Sequence, residues 1–159
     1  MTTFNHSQII MNTLAKAVSI AAAKVGTKEL TGKNDGPFVD ECLKLTGLDN
    51  QKYIKETGKG YAWCAAFISW VLKTAGVDVK PTAWAPSWFP TAKLVTDGKY
   101  RPMDVFGHNY NNVTNGHVGF IFYWPEDGDL FLSLEGNWGN CVGVNVRKKT
   151  DINQVSRWI

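Results

Sequence analysis

The sequence predicts an α+β fold in which N-terminal helices pack on a C-terminal antiparallel sheet. Two observations carry this expectation. Up to residue 76 apolar residues recur at spacings of three and four, and from Lys99 the spacing changes to two. The candidate strands are also separated by short turn signals, Asn111-Asn112, Asp127-Gly128 and Gly139-Asn140, which suit antiparallel neighbours. The chain has 159 residues, 44% hydrophobic and 13% aromatic, enough for an ordered core. No repeat or linker divides it, so residues 1–159 read as one domain.

The first helix is expected over residues 7–25, with Ser7 as N-cap, Ile10, Leu14, Ala17, Ala21 and Val25 on one face, and Gly26 as the stop. Pro37 suits the first position of a second helix, whose buried face would carry Phe38, Val39, Cys42, Leu43 and Leu45 before Gly47. Residues 49–60 are polar and read as a mobile lead-in. Next comes Tyr61-Ala62-Trp63-Cys64-Ala65-Ala66-Phe67-Ile68-Ser69-Trp70-Val71-Leu72, a helix apolar nearly all round and therefore central, ended by Gly76. Residues 80–96 hold Pro81, Trp84, Pro86, Trp88 and Pro90 and read as a loop with one short helix around 88–94. Its tryptophans either line a groove or cover the core. Strands are expected over 104–106, 117–124, 129–135, 141–147 and 155–159.

A net charge of +3 is mild, and the longest basic run, Arg147-Lys148-Lys149, reads as a solvated strand end, so no nucleic-acid surface is expected. Cys42, Cys64 and Cys141 are odd in number and widely spaced, with no CxxC pair. No cofactor is expected, Cys42 reads as core, and at least one thiol stays free in a monomer, the expected state. Residues 1–8 lack Lys and Arg, and Lys16 and Lys24 interrupt the apolar stretch that follows, so no secretory signal and no membrane insertion are expected. Action outside the cytoplasm would then follow lysis or injection.

Cys64 at a helix start sits in a field that favours thiolate, and its own N–H is a candidate oxyanion donor. A nucleophilic thiol needs a base. His6 lies in a terminus and His108 in the Gly- and Asn-rich loop 107–115, so His117, opening a strand, is the best placed. A three-residue loop, Glu126 to Gly128, sets His117 opposite Asn137 with Glu135 diagonal to it; a register shorter by two sets it opposite Glu135. Either Glu135 or Asn137 could orient the imidazole. Gly116, Gly119, Gly136 and Gly139 fit close approach of a substrate backbone, and equally fit plain turns.

Three blocks, Trp63-Cys64-Ala65-Ala66-Phe67-Ile68-Ser69-Trp70, Gly116-His117-Val118-Gly119-Phe120 and Glu135-Gly136-Asn137, resemble the signature blocks of CHAP-type peptidases. These are cysteine, histidine-dependent amidohydrolases of the papain-like, NlpC/P60 superfamily. Arg101-Pro102-Met103-Asp104-Val105-Phe106 resembles the family strand before the histidine, with Met103 where glycine is usual. The resemblance implies a papain-like fold and cleavage of amide bonds in peptidoglycan. Cys64 would be the nucleophile, His117 the base and then acid, and Glu135 or Asn137 the orienting group. The family often places a glutamine before the cysteine as an oxyanion donor; none stands between Gln51 and Cys64, and Tyr61 is the candidate substitute. Candidate substrate contacts are Trp63, Trp84, Trp88 and Trp138, with Trp138 first because it follows Asn137. Some relatives bind calcium, but Asp35, Asp40, Glu41 and Asp49 are too scattered, and no metal is expected.

The settings this implies are a phage lysin or an injected antibacterial effector acting at the cell wall or in a target periplasm; an effector would have a cognate immunity protein. The competing expectations are a cysteine protease or deamidase acting on a protein, and a catalytically silent papain-like binding module.

Overall fold

A computed structural model describes residues 5–110 and 113–159. Four α-helices come first: α1 (His6–Ala22), α2 (Pro37–Leu45), α3 (Asn50–Thr57) and α4 (Cys64–Ala75). Five strands follow: β1 (Val105–Tyr110), β2 (Val113–Tyr123), β3 (Leu130–Trp138), β4 (Cys141–Lys148) and β5 (Ile152–Ser156). They form one antiparallel sheet in the order β4-β3-β2-β1-β5. The α+β expectation is met. The turn expected at Asn111-Asn112 lies outside the described residues. No helix among those described is long and apolar enough to cross a membrane.

α4 is the centre. Nine of its twelve residues are buried, and it packs against α1, α2, β2 and β3. Its phenylalanine Phe67 meets Phe38 from α2 and Phe120 from β2 edge to face. Gly136 allows this approach, because a Cβ there would stand 2.7 Å from the Phe67 Cβ. Val105, Val118, Phe120, Leu134 and Val142 complete this core from the sheet. Phe106, Ile121, Phe131 and Val155 form a smaller cluster on the other side of the sheet.

Several local expectations are corrected. α1 starts earlier than Ser7, because Asn5 and Gln8 exchange hydrogen bonds of 2.9 and 3.0 Å as a capping box. It ends before Val25, which is exposed. The polar segment 49–60 is not a mobile lead-in but contains α3. Asp49 caps it by accepting from the Lys52 N–H at 2.9 Å, and Gly58 closes it at φ 79°. Buried Asn50 ties it down, donating to the Asp40 carboxylate at 2.7 Å and to the Asn34 carbonyl at 2.9 Å while accepting from the Tyr61 N–H at 3.0 Å. The single short helix expected in 80–96 is two 3₁₀ turns, Ala85–Trp88 and Thr91–Lys93. The loop expected at 107–115 is largely strand, because β5 and β2 give β1 partners on both edges.

Candidate active site

The hairpin adopts the first of the two registers: Phe120 pairs with Leu134 and Ile121 with Ser133, which sets Gly119 against Glu135. Paired residues share a face. His117, Gly119 and Ile121 therefore face the same way as Ser133 and Glu135, and as Asn145 and Arg147 of β4. Gly119 leaves the room the carboxylate needs: a Cβ there would come within 2.6 Å of the Glu135 Cγ. The glycines at 119 and 136 thus accommodate the protein's own groups rather than a substrate backbone.

Cys64 begins α4 and is 5% exposed. Its thiol and the His117 ring line the same cavity, and His117 together with the N–H groups of Val118 and Ala65 favours the charged form of the sulfur. On the other side of the ring, His117 Nε2 donates to Glu135 Oε2 at 2.6 Å. That leaves Nδ1 for the sulfur, so one imidazole bridges thiol and carboxylate. Glu135 is fully buried and saturated with donors. Arg147 Nε donates to Oε1 at 2.9 Å and Nη2 to Oε2, Asn145 Nδ2 donates to Oε1 at 3.3 Å, and the Ser133 hydroxyl donates to the same oxygen.

This geometry moves the charges. Burial disfavours a thiolate at Cys64, but the charge and hydrogen bond of His117, with the Val118 and Ala65 amides, outweigh it and hold the thiol below its ordinary value. Burial pulls His117 down, yet the Cys64 charge and hydrogen bond and the Glu135 carboxylate raise it to about 9. Burial likewise opposes the Glu135 charge, and hydrogen bonds from His117 and Arg147, with their charges, bring it down to about 2. The arrangement favours a thiolate–imidazolium pair backed by a carboxylate. By contrast, burial pushes the Cys42 thiol up, in keeping with a core role.

A cavity of about 550 Å³ opens onto Cys64 and His117, lined also by Asn34, Lys59, Asn137 and Trp138. Trp138 lies 5.3 Å from the His117 ring, centroid to centroid. Asn137 lines the cavity but does not reach His117. The β3–β4 ladder shifts register between Glu135 and Trp138, and Asn137 takes a left-handed φ of 61°, turning its amide toward α4. There Oδ1 accepts from the Trp63 N–H at 3.1 Å and Nδ2 donates to Asn34 Oδ1 at 3.1 Å and Glu29 Oε1 at 3.2 Å.

The other candidates are placed as follows. Tyr61 stacks on Tyr53 at 3.8 Å and lines a neighbouring groove with Trp84, not the Cys64 cavity. Trp63 is fully buried, its Nε1 donating to Glu29 at 2.8 Å, so it shapes the core beneath Cys64 instead of contacting a ligand. Trp88 is buried against Trp158. Trp84 is exposed, on the rim of the neighbouring groove, which adjoins the cavity at Ala62. His108 is held in β1, its Nδ1 donating to the Asp151 carbonyl at 3.0 Å. Among the described residues no group of three or more His, Cys, Asp or Glu side chains could hold a metal ion.

Arg147, expected at a solvated strand end, is 7% exposed and lies inside the site. The sequence signal was its alternation with Asn145 and Gly143 on one strand face, which only the β3–β4 register connects to Glu135.

No protein-family model and no curated protein matches the sequence. Solved structures do match. Rv1477, a hypothetical invasion protein of Mycobacterium tuberculosis, superposes with a TM-score of 0.60 at 17% identity over 99% of this chain and 66% of its own. The M. tuberculosis peptidoglycan hydrolase RipB gives 0.60 at 15% identity over 98% of this chain and 69% of its own. RipD of the same organism, a non-catalytic NlpC/p60 domain protein adapted to peptidoglycan binding, gives 0.55 at 12% identity over 92% of this chain and 98% of its own. The chain thus spans about two thirds of the first two solved chains. Its fold is the papain-like fold of NlpC/P60 domains.

Proposed function

We propose that this protein is a cysteine-dependent amidohydrolase that cleaves amide bonds of peptidoglycan. One observation carries the reading: a buried thiol at a helix N-terminus shares a cavity with an imidazole that is itself anchored on a carboxylate at 2.6 Å. RipB, which shares the fold, is a peptidoglycan hydrolase, and this supports the substrate class.

The residues divide the chemistry as follows. The Cys64 thiolate attacks the amide carbonyl, and the Cys64 N–H at the start of α4 faces the developing oxyanion. As the C–N bond breaks, His117 gives its proton to the leaving amine and a thioester remains. His117, now neutral, takes a proton from water, whose oxygen attacks the thioester. The acid is released and the thiolate–imidazolium pair returns. Glu135 holds the ring with Nε2 toward itself throughout. Trp138 forms the cavity wall beside the ring. The setting we put forward is the cell wall, reached by a phage lysin after synthesis in the cytoplasm or by an injected effector. In the effector case a cognate immunity protein would cover this cavity.

The fold-sharing RipD is non-catalytic and binds peptidoglycan, so a silent binding module is the second reading. The complete Cys64–His117–Glu135 relay favours catalysis. The test is digestion of purified sacculi followed by mass spectrometry of the fragments. Wild type should release fragments with new termini at one amide bond, and Cys64→Ala should release none. Equal release by both proteins, or by neither, sinks the enzymatic reading. New termini would also separate wall cleavage from a protease or deamidase acting on a protein.

A further inference from the structure

Arg147 reaches two parts of the site at once. Its guanidinium forks onto both oxygens of Glu135, and its Cζ lies 3.8 Å over the centre of the Trp138 ring. Trp138 in turn stands beside His117 on the cavity wall. Both charged partners are buried, Arg147 at 7% exposure and Glu135 at 0%. A buried carboxylate is costly unless a counter-charge stays with it. His117 cannot be that constant partner, because turnover makes it give its proton away. At that moment Glu135 would be a lone buried anion competing for the proton. A guanidinium does not titrate in this range and matches a carboxylate with two parallel donors.

We propose that Arg147 is a positioning residue that keeps Glu135 ionised and fixed behind His117 through both halves of the cycle, its charge setting the pH at which Cys64 becomes a thiolate. This rests on Cys64, His117 and Glu135 acting as one unit. The groups facing Glu135 are His117 from β2, Ser133 from its own strand, and Asn145 and Arg147 from β4. His108 on β1, the register neighbour of His117, is turned to the Asp151 carbonyl. Arg147 is thus the fixed charge among the partners that the carboxylate contacts. Without it Glu135 has no fixed counter-charge and takes up a proton more readily; a neutral Glu135 no longer raises His117, whose charge is what holds the thiol down.

The test reads Cys64 directly. The protein is alkylated with iodoacetamide across a pH series, and modification of the Cys64 peptide is followed by mass spectrometry, which excludes Cys42 and Cys141. Arg147→Met should move the Cys64 inflection up by about one pH unit, the size expected when the imidazolium beside the thiol is weakened. Arg147→Lys keeps the charge and should hold the inflection within about 0.3 unit of wild type. If Arg147→Met does not fold, Arg147→Gln, which keeps donors without the charge, takes its place. A folded neutral variant with the wild-type inflection overturns the proposal, as does an Arg147→Lys shift as large as that of the neutral variant. A merely structural arginine would lower the melting temperature and leave the inflection alone. The readout needs no peptidoglycan, so failure of wall cleavage and failure of this proposal are separate results.

Discussion

The chemistry of this site is decided by which proton sits where on Cys64 and His117. The thiol is lowered because His117 and two backbone amides favour its charged form more than burial opposes it, and His117 is raised to about 9 by the same partnership. The reactive pair therefore exists above the pKa of Cys64 and below that of His117. On the proposed function, hydrolysis measured as kcat/KM against pH should rise through the first and fall through about 9. Glu135→Gln removes part of what raises His117, so its alkaline limb should lie at lower pH than that of wild type. An alkaline limb unmoved by Glu135→Gln would show that the carboxylate does not act through the imidazole. At this scale the sequence offered two partners for His117. The register left Glu135 diagonal to the ring, and the left-handed Asn137 turned the asparagine away to hold the Trp63 amide.

At the scale of elements, the approach to β1 shows how a departure from a family pattern is absorbed. Met103 stands where relatives of the resembled family have glycine, and it takes a left-handed φ of 69° while 2% exposed. Its N–H donates to the Ile121 carbonyl at 2.8 Å, fixing that conformation. Next to it, Asp104 is clamped by Arg157 through bonds of 2.8 and 2.7 Å. A side chain at positive φ costs about 1 kcal/mol that glycine avoids, whereas burying methionine is favourable by roughly 1.5–3 kcal/mol. Met103→Ala should therefore destabilise by roughly 2–5 kcal/mol. Met103→Gly should be more stable than Met103→Ala by about 1 kcal/mol, the reverse of the usual order, as read by urea unfolding. The opposite ranking would mean that this backbone is not strained. The same scale explains why residues 50–57 read as a mobile segment in the sequence but form α3. Its composition is polar, and the partners through which Asn50 tethers it, Asp40 and Asn34, lie outside the helix.

For the molecule as a whole, the Glu135 network ties the candidate site to stability. The Glu135 carboxyl lies at about 2 in the folded protein against an ordinary 4.5, so folding gains from its ionisation. With the folded value depressed, that contribution is present above 4.5 and is lost as pH falls toward 2. The melting-temperature difference between wild type and Glu135→Gln should be constant from neutral pH to about 5 and should narrow below 4.5. A gap that stays constant down to pH 3 would mean the carboxylate is not held ionised by its partners. The sequence by itself determined the change from helices to strands, the central place of α4, and Cys64 and His117 as the candidate thiol and base with Glu135 or Asn137 behind the imidazole. Those follow from periodicity, apolar content and residue chemistry, which are properties of neighbours along the chain. The tertiary structure decided the rest: Glu135 over Asn137 behind the imidazole, Tyr61 and Trp63 away from the cavity, and Arg147 inside it. These depend on strand register, on a left-handed turn and on which side chains burial brings together. Such contacts join β3 to β2, to β4 and to the start of α4 across distances in sequence that no local pattern encodes.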